Sequence, residues 1–170
     1  ENVEWIWGYR ENDAMGGHDP YSASKGAAEI VFSSYLRSYF SENSNIGAAT
    51  ARAGNVIGGG DWSADRIIPD CIKAIENGKP ITLRNPKSTR PWQHVLEPIS
   101  GYLLLGAKLR SNPNEFSGSW NFGPSTSEFR NVEQVASSII DLMGKGSIEV
   151  VENKNNQHEA NLLRLNCDKA

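Results

Sequence analysis

The chain has 170 residues, with 17 lysines and arginines against 20 aspartates and glutamates, for a formal net charge of −3. At 38% hydrophobic, with five each of Trp, Tyr and Phe, it is too rich in core-forming residues to be disordered. The slight acidity and unclustered Lys and Arg argue against nucleic acid, and apolar runs such as Tyr102 to Leu105 are far too short for a bilayer.

Residues 1–19 read as loop, with a turn at Gly16-Gly17. Asp19-Pro20 then signals a helix start, an N-cap followed by proline at the first helical position. The helix runs from Tyr21 to about Phe40, with Ala27, Ala28, Val31, Tyr35 and Tyr39 as its apolar face. Asn43 to Asn45 break it, and Ile46 to Ala53 read as a strand that ends in the loop Gly54 to Gly60. A second helix spans Pro69 to Asn77 with Gly78 as its stop. Ile81 to Leu83 and Trp92 to Val95 are short strands, Pro98 to Leu109 is helical, and Ser119 to Phe122 is a strand. Asn131 caps a helix through Leu142, closed by Gly144, and Ile148 to Val151 and Leu162 to Leu165 are the last strands. Helices alternating with short strands predict an α/β class, with too few strands for a full doubly wound sheet.

The acidic opening Glu1-Asn2-Val3-Glu4 lacks the basic region of a signal peptide, so a cytoplasmic setting is the default expectation. Cys71 and Cys167 have no metal or redox spacing, and a disulfide between them stays open. There is no initiator Met, and the last residues stop at what reads as a helix start, so the chain is expected to be a fragment.

Tyr21 and Lys25 are the sharpest chemical pair. Four residues apart on a helix, they share a face, and an ammonium beside a phenol favours the phenolate that a proton acceptor needs. The spacing alone is common by chance, so its context decides. Ser22-Ala23-Ser24 lies within it and the small residues Gly26, Ala27 and Ala28 follow, which lets a cofactor or a neighbouring element approach closely. Gly58-Gly59-Gly60 has no following Lys-Ser/Thr and is not a Walker loop; it reads either as a tight turn or as a phosphate-facing loop. Arg66 is either a solvated helix-start residue or a phosphate ligand. Arg90 is either stacked on Trp92 or paired with Glu97, or it is a bidentate diphosphate ligand. Arg52, in the strand, reads as a structural ion pair, and Arg84 remains open. His18, His94 and His158 are isolated from one another, which argues against a metal site, and Glu159 has no assigned role. Trp62 or Trp92 is a candidate wall for a nucleotide pocket.

Three blocks carry a resemblance: Met15 to Tyr21, running into Lys25; Ala51-Arg52-Ala53-Gly54-Asn55-Val56-Ile57-Gly58-Gly59-Gly60-Asp61-Trp62; and Arg90-Pro91-Trp92-Gln93-His94-Val95-Leu96-Glu97-Pro98. Together they resemble the extended short-chain dehydrogenase/reductase family, and within it the nucleotide-sugar 4,6-dehydratases that act on CDP-glucose. The resemblance implies an α/β fold: the C-terminal part of an NAD-binding Rossmann-type fold with a smaller nucleotide-sugar-binding α/β domain. Residues of about 1–55 would be the second half of the cofactor domain, and about 56–170 mostly the substrate domain. It also implies NAD as cofactor, Tyr21 and Lys25 as catalytic and cofactor-binding residues, and Asn55, Arg66 and Arg90 as ligands of the substrate diphosphate. The implied activity is dehydration of CDP-glucose to CDP-4-keto-6-deoxy-glucose, in deoxysugar and lipopolysaccharide biosynthesis, by a homo-oligomer packed through the Tyr21 helix. A related epimerase or reductase and a non-catalytic binding fragment are the alternatives. The chain has no Gly-x-Gly-x-x-Gly, and the family's elimination residues lie before the segment matched here, so the isolated chain is expected to be inactive.

Overall fold

The protein is described from a computed structural model that covers residues 5–40, 45–125, 129–151 and 161–170. Asn43, His158 and Glu159 lie outside the described residues.

Helix α1 (Pro20–Tyr39) starts where the sequence places it: the Ser22 N–H donates to the Asp19 carboxylate at 2.9 Å, and Pro20 takes the first position. Its inward face differs from the expected one. Ala27, Ala28, Val31, Tyr35 and Tyr39 are all exposed, whereas Gly26 is buried and Glu29, Phe32 and Leu36 are half-buried. The helix docks through the bare backbone at Gly26 and the Glu29 carboxylate, with Phe32 and Leu36 as the apolar part of the same side. A Cβ on Gly26 would lie 3.1 Å from the Gly16 nitrogen.

Strand β1 (Ala49–Ala53) begins three residues later than Ile46, because its parallel partner starts only at Gly118 and gives the earlier residues no ladder. The expected loop after it contains β2 (Asn55–Ile57), which pairs parallel with Trp92–His94. Helices α2 (Ile67–Glu76) and α3 (Leu96–Ser111) each open two residues ahead of the proline expected to start them. Pro69 and Pro98 occupy the third helical position, where the missing N–H has no intrahelical acceptor to lose. Between these helices lie β3 (Ile81–Leu83), β4 (Thr89–Arg90) and β5 (Trp92–His94). A one-turn helix α4 (Pro113–Phe116) leads into β6 (Gly118–Phe122), and β7 (Arg130–Asn131) leads into α5 (Val132–Met143). A full capping box between Asn131 and Gln134 opens α5, and Gly144, at φ 66°, closes it. The last strand is β8 (Ile148–Val150); Leu162 and Leu165 make single bridges to Thr89 and Tyr9 and not the strand expected there.

The strands form pairs: β1 with β6, β2 with β5 and β3 with β8 are parallel, and β4 with β7 is antiparallel. This is the expected α/β class. Cys71, Ile75, Ile81, Leu83 and Ala136 make a core between α2, α5, β3 and β8. Its helical contributions follow the 3.6-residue period, through Ile67, Cys71, Ala74 and Ile75 on α2 and Val132, Ala136, Ile139 and Ile140 on α5. Cys71 is fully buried there, burial pushes its thiol up to about 11, and neither cysteine is in a disulfide.

The first described residues are strapped to the last. Tyr9 N donates to the Arg164 carbonyl at 3.0 Å and Asn166 N returns to the Tyr9 carbonyl at 2.9 Å. Arg164 Nη1 reaches the Ile6 carbonyl at 3.0 Å, and the buried Asn121 amide donates to the Tyr9 and Asn166 carbonyls at 3.0 and 3.2 Å.

At the corner where β1 turns into β2, the Phe122 carbonyl accepts from both Gly54 N and Gln93 Nε2, each at 3.0 Å. A Cβ on Gly54 would sit 2.3 Å from the Pro91 carbonyl oxygen, which is backbone and cannot rotate away. Gly54→Ala should therefore destabilise the fold by about 1–3 kcal/mol, seen as a lower melting temperature. An unchanged melt would mean that the corner is far looser than this packing.

Candidate functional site

The start of α1 lies at the carboxyl end of β1. Glu29, midway along α1, meets Thr50 and Arg52, while Arg52 reaches on to the Glu11 carbonyl at 3.2 Å and to the Met15 sulfur at 3.7 Å, just ahead of the helix. Ligands of open α/β sheets bind outside the carboxyl ends of the strands, and this is the end from which Asn55 follows.

The helical spacing brings Tyr21 and Lys25 together as expected: the ammonium lies 5.5 Å from the centre of the phenol ring. Tyr21 is 72% exposed, which leaves its hydroxyl open to a ligand. Asn55, Arg66 and Arg90 also come together. All three line one cleft of about 730 Å³ between the Gly58–Gly60 loop, α2 and the β4–β5 segment. Asn55 and Arg66 also line an adjoining cleft of about 290 Å³. Tyr21 and Lys25 are not among the described residues lining either one.

Each ligand candidate has a different support. Asn55 is held by its ladder position opposite Trp92. Arg66 is exposed at the N-cap position of α2, with no side-chain cap bond of its own. Arg90 is only 9% exposed, and its Nη1 donates to the Thr89 carbonyl at 2.9 Å. Gly58 is pressed against Val95, where a Cβ would meet a methyl at 2.8 Å, whereas Gly59 and Gly60 face open space. Trp62 and Trp92 both line the cleft, as the nucleotide-wall reading requires. Lys73 Nζ donates to the Trp62 carbonyl at 2.8 Å, and the Ser63 N–H holds the Asp61 carboxyl below its usual value.

Arg52 is the structural ion pair expected of it, 2.8 Å from Glu29. Arg84 pairs with Asp65 at 3.4 Å on the exposed rim of the cleft. His94 Nδ1 accepts from the Leu96 N–H at 3.3 Å, a local bond at the start of α3. Among the described residues, no three His, Cys, Asp or Glu side chains converge, and no helix is long and apolar enough to cross a membrane.

Sequence reasoning passed over Glu29. Its signal was available: it follows Lys25 by four residues on the same face, and an arginine stands on the adjoining strand. The Arg52 hydrogen bond, with those of Thr50 and Ser119, holds its carboxyl below the usual 4.5. Asp65 was also missed; it takes a positive φ of 59° in the loop that rims the cleft.

Residues 8–123 match the family model described as the NAD dependent epimerase/dehydratase family. The whole chain is similar to CDP-glucose 4,6-dehydratase of Salmonella typhimurium, at 48% identity over 174 residues, which make up 48% of that protein. A trifunctional UDP-glucose 4,6-dehydratase of Arabidopsis thaliana is 30% identical over 169 residues, covering 90% of this chain and 23% of its own length. Among solved structures, dTDP-glucose 4,6-dehydratase from Streptomyces venezuelae with NAD bound superposes with a TM-score of 0.76 at 19% identity, over 96% of this chain and 47% of that one. UDP-N-acetylglucosamine 4-epimerase from Methanobrevibacter ruminantium gives 0.75 at 19%, over 94% and 48%. The chain thus spans about half the length of the curated relative it matches along its whole extent.

Proposed function

The chain belongs to the NAD dependent epimerase/dehydratase family, and from that membership we propose that it is part of an NAD-dependent 4,6-dehydratase acting on CDP-glucose. The single observation that carries the proposal is the convergence of Asn55, Arg66 and Arg90 on one cleft walled by two tryptophans. Two guanidiniums and an amide beside aromatic walls suit a nucleoside diphosphate, with the arginines on the phosphates and a ring against the base. The 48% identity to the Salmonella enzyme supports cytidine as that base.

NAD, when bound, supplies a reversible hydride acceptor at the sugar C4. The residues present fit it: Tyr21 has an exposed phenol with the Lys25 ammonium against it, at the carboxyl end of a parallel strand. Lys25 would hold the nicotinamide ribose hydroxyls, and Tyr21 would take the proton of the C4 hydroxyl as that carbon is oxidised. The ketone so formed acidifies the proton on C5, where the carbanion is stabilised as an enolate. Loss of the C6 hydroxyl as water would leave a 4-keto-5,6-ene, and return of the stored hydride to C6 with a proton to C5 would give the 4-keto-6-deoxy sugar. The groups that drive this elimination are assigned to a part of the full-length protein outside this chain, as is the glycine-rich dinucleotide turn. On this proposal residues 1–55, with β6 returning beside β1, complete the cofactor domain, and most of 56–170 forms the substrate domain. The isolated chain would then be inactive. The uncovered apolar face of α1, with Ile30, Val31, Tyr35 and Tyr39, suits a helix-packed homo-oligomer.

A panel of CDP-, dTDP-, UDP- and GDP-glucose, offered to the full-length protein and followed by the alkaline absorbance of the 4-ketone, tests the assignment. CDP-glucose should be turned over best. Preference for dTDP-glucose would overturn the cytidine assignment, and a C4-epimerised product in place of the ketone would overturn dehydration itself.

A further inference from the structure

Tyr21, Lys25 and Glu29 follow one another at four-residue intervals, so they form a single line along α1, with Glu29 about 12 Å from Tyr21 at 1.5 Å rise per residue. The exposed end of that line carries the phenol and the ammonium, and the inner end is tied down. One oxygen of Glu29, Oε2, accepts from Arg52 Nη2 at 2.8 Å, from Thr50 Oγ1 at 2.8 Å and from Ser119 Oγ at 3.1 Å. The two hydroxyls are themselves 3.0 Å apart; each has a single proton to donate, and the Glu29 carboxylate, an acceptor only, is within reach of both. These three donors come from two adjacent strands, β1 and β6, that are in register at Thr50 and Ser119. Arg52 also bonds the Glu11 carbonyl, so the same guanidinium braces the loop that leads into the helix.

Resting on the catalytic reading of Tyr21 and Lys25, we propose that Glu29 is a positioning residue, which fixes the height and rotation of α1 on the β1–β6 pair and so sets where the phenol and ammonium stand. The need for such a device follows from how α1 packs. Its apolar side chains Ile30, Val31, Tyr35 and Tyr39 face outward, Phe32 and Leu36 are only half-buried, and its close contact at Gly26 is a smooth one. Apolar contact is non-directional and a glycine surface has no knob to engage, so neither stops the helix from sliding or turning. Three directional bonds on one oxygen do. A displacement of about 1 Å at the reacting groups is enough to cost on the order of a hundredfold in rate.

The test uses the full-length protein with Glu29→Ala, Glu29→Asp and Glu29→Gln. Glutamine keeps the reach and one acceptor oxygen, whereas aspartate keeps the charge but falls short by a methylene. Positioning therefore predicts that Ala and Asp lower kcat by about tenfold or more, with KM for the nucleotide sugar within about twofold, while Gln stays within about threefold of the parent. Aspartate as active as the parent, or kcat loss that only tracks the fraction of folded protein, would overturn the proposal. If Glu29→Ala does not fold, Ser119→Ala removes one donor: a fall in kcat at an unchanged melting temperature supports positioning, and unchanged kcat refutes it. Tyr21→Phe is assayed alongside. Full activity in that variant would sink the catalytic reading, whereas its loss beside a fully active Glu29→Ala would sink only the anchor.

Discussion

Tyr21→Phe in the full-length protein should lower kcat at least about a hundredfold while leaving KM for the nucleotide sugar nearly unchanged. The substitution deletes one oxygen and keeps the ring, so the cation–ring contact with Lys25 at 5.5 Å survives and the helix start is undisturbed. Tyr21 lines neither of the two clefts where the nucleotide is assigned, so ground-state binding has no contact to lose there. What is lost is the acceptor for the C4 hydroxyl proton, needed only as the carbon is oxidised. Steady-state kinetics at saturating NAD measures both constants. A variant with parental kcat would remove Tyr21 from the chemistry, and a large rise in KM alone would make it a binding residue.

Arg90→Ala should act in the opposite way, raising the Kd for CDP-glucose about ten- to a hundredfold, the worth of a charge-assisted hydrogen-bond pair to a phosphate. Arg90 is largely buried at the cleft wall and holds the Thr89 carbonyl, so its truncation also removes an internal bond. Arg90→Lys separates the two effects: it keeps the charge and loses the planar fork, and should recover affinity only in part. Titration of the folded variants with CDP-glucose reads the result directly. Equal affinity in parent and Ala variant would leave Arg90 as a clamp on its own strand. Arg66→Ala should weaken binding in the same direction but less, because the exposed Arg66 side chain is replaced there by water at little cost.

Local chemistry was legible in the sequence wherever a residue acts on its immediate neighbours. Asp19-Pro20 opens α1, Asn131 caps α5, and Gly144 closes it, because each of these signals works within one turn. The Tyr21–Lys25 contact was legible for the same reason. The failures share a cause as well. The starts of α2 and α3 were read from proline, but proline is tolerated through the whole first turn, and α2 already begins at Ile67, which packs against the core. Strand β2 was hidden because its pairing partner lies 37 residues on, at Trp92 opposite Asn55, and a Gly-rich segment has no strand signature of its own. The inward face of α1 was misread because apolar periodicity names the face that wants covering, not the one this part of the molecule covers. Convergence of Asn55, Arg66 and Arg90 was not derivable from spacing; it required the β2–β5 pairing that sets Asn55 beside Trp92, two residues beyond Arg90, and the placement of α2 that brings Arg66 to the same cleft.

The strap between the two ends sets an order of events during synthesis. Its longest bond joins residues 158 apart, Ile6 and Arg164, and Asn121 must already be in place between Tyr9 and Asn166. At about 5–20 residues per second, a ribosome takes roughly ten to thirty seconds to bridge that separation. During that interval the Tyr9 end of the loop lacks its Arg164 and Asn166 partners while Arg52 is at hand to brace Glu11 and Met15, so the helix can form locally before its leading segment is fully held. The segment that settles the approach to Tyr21 is thus among the last of this chain to be made.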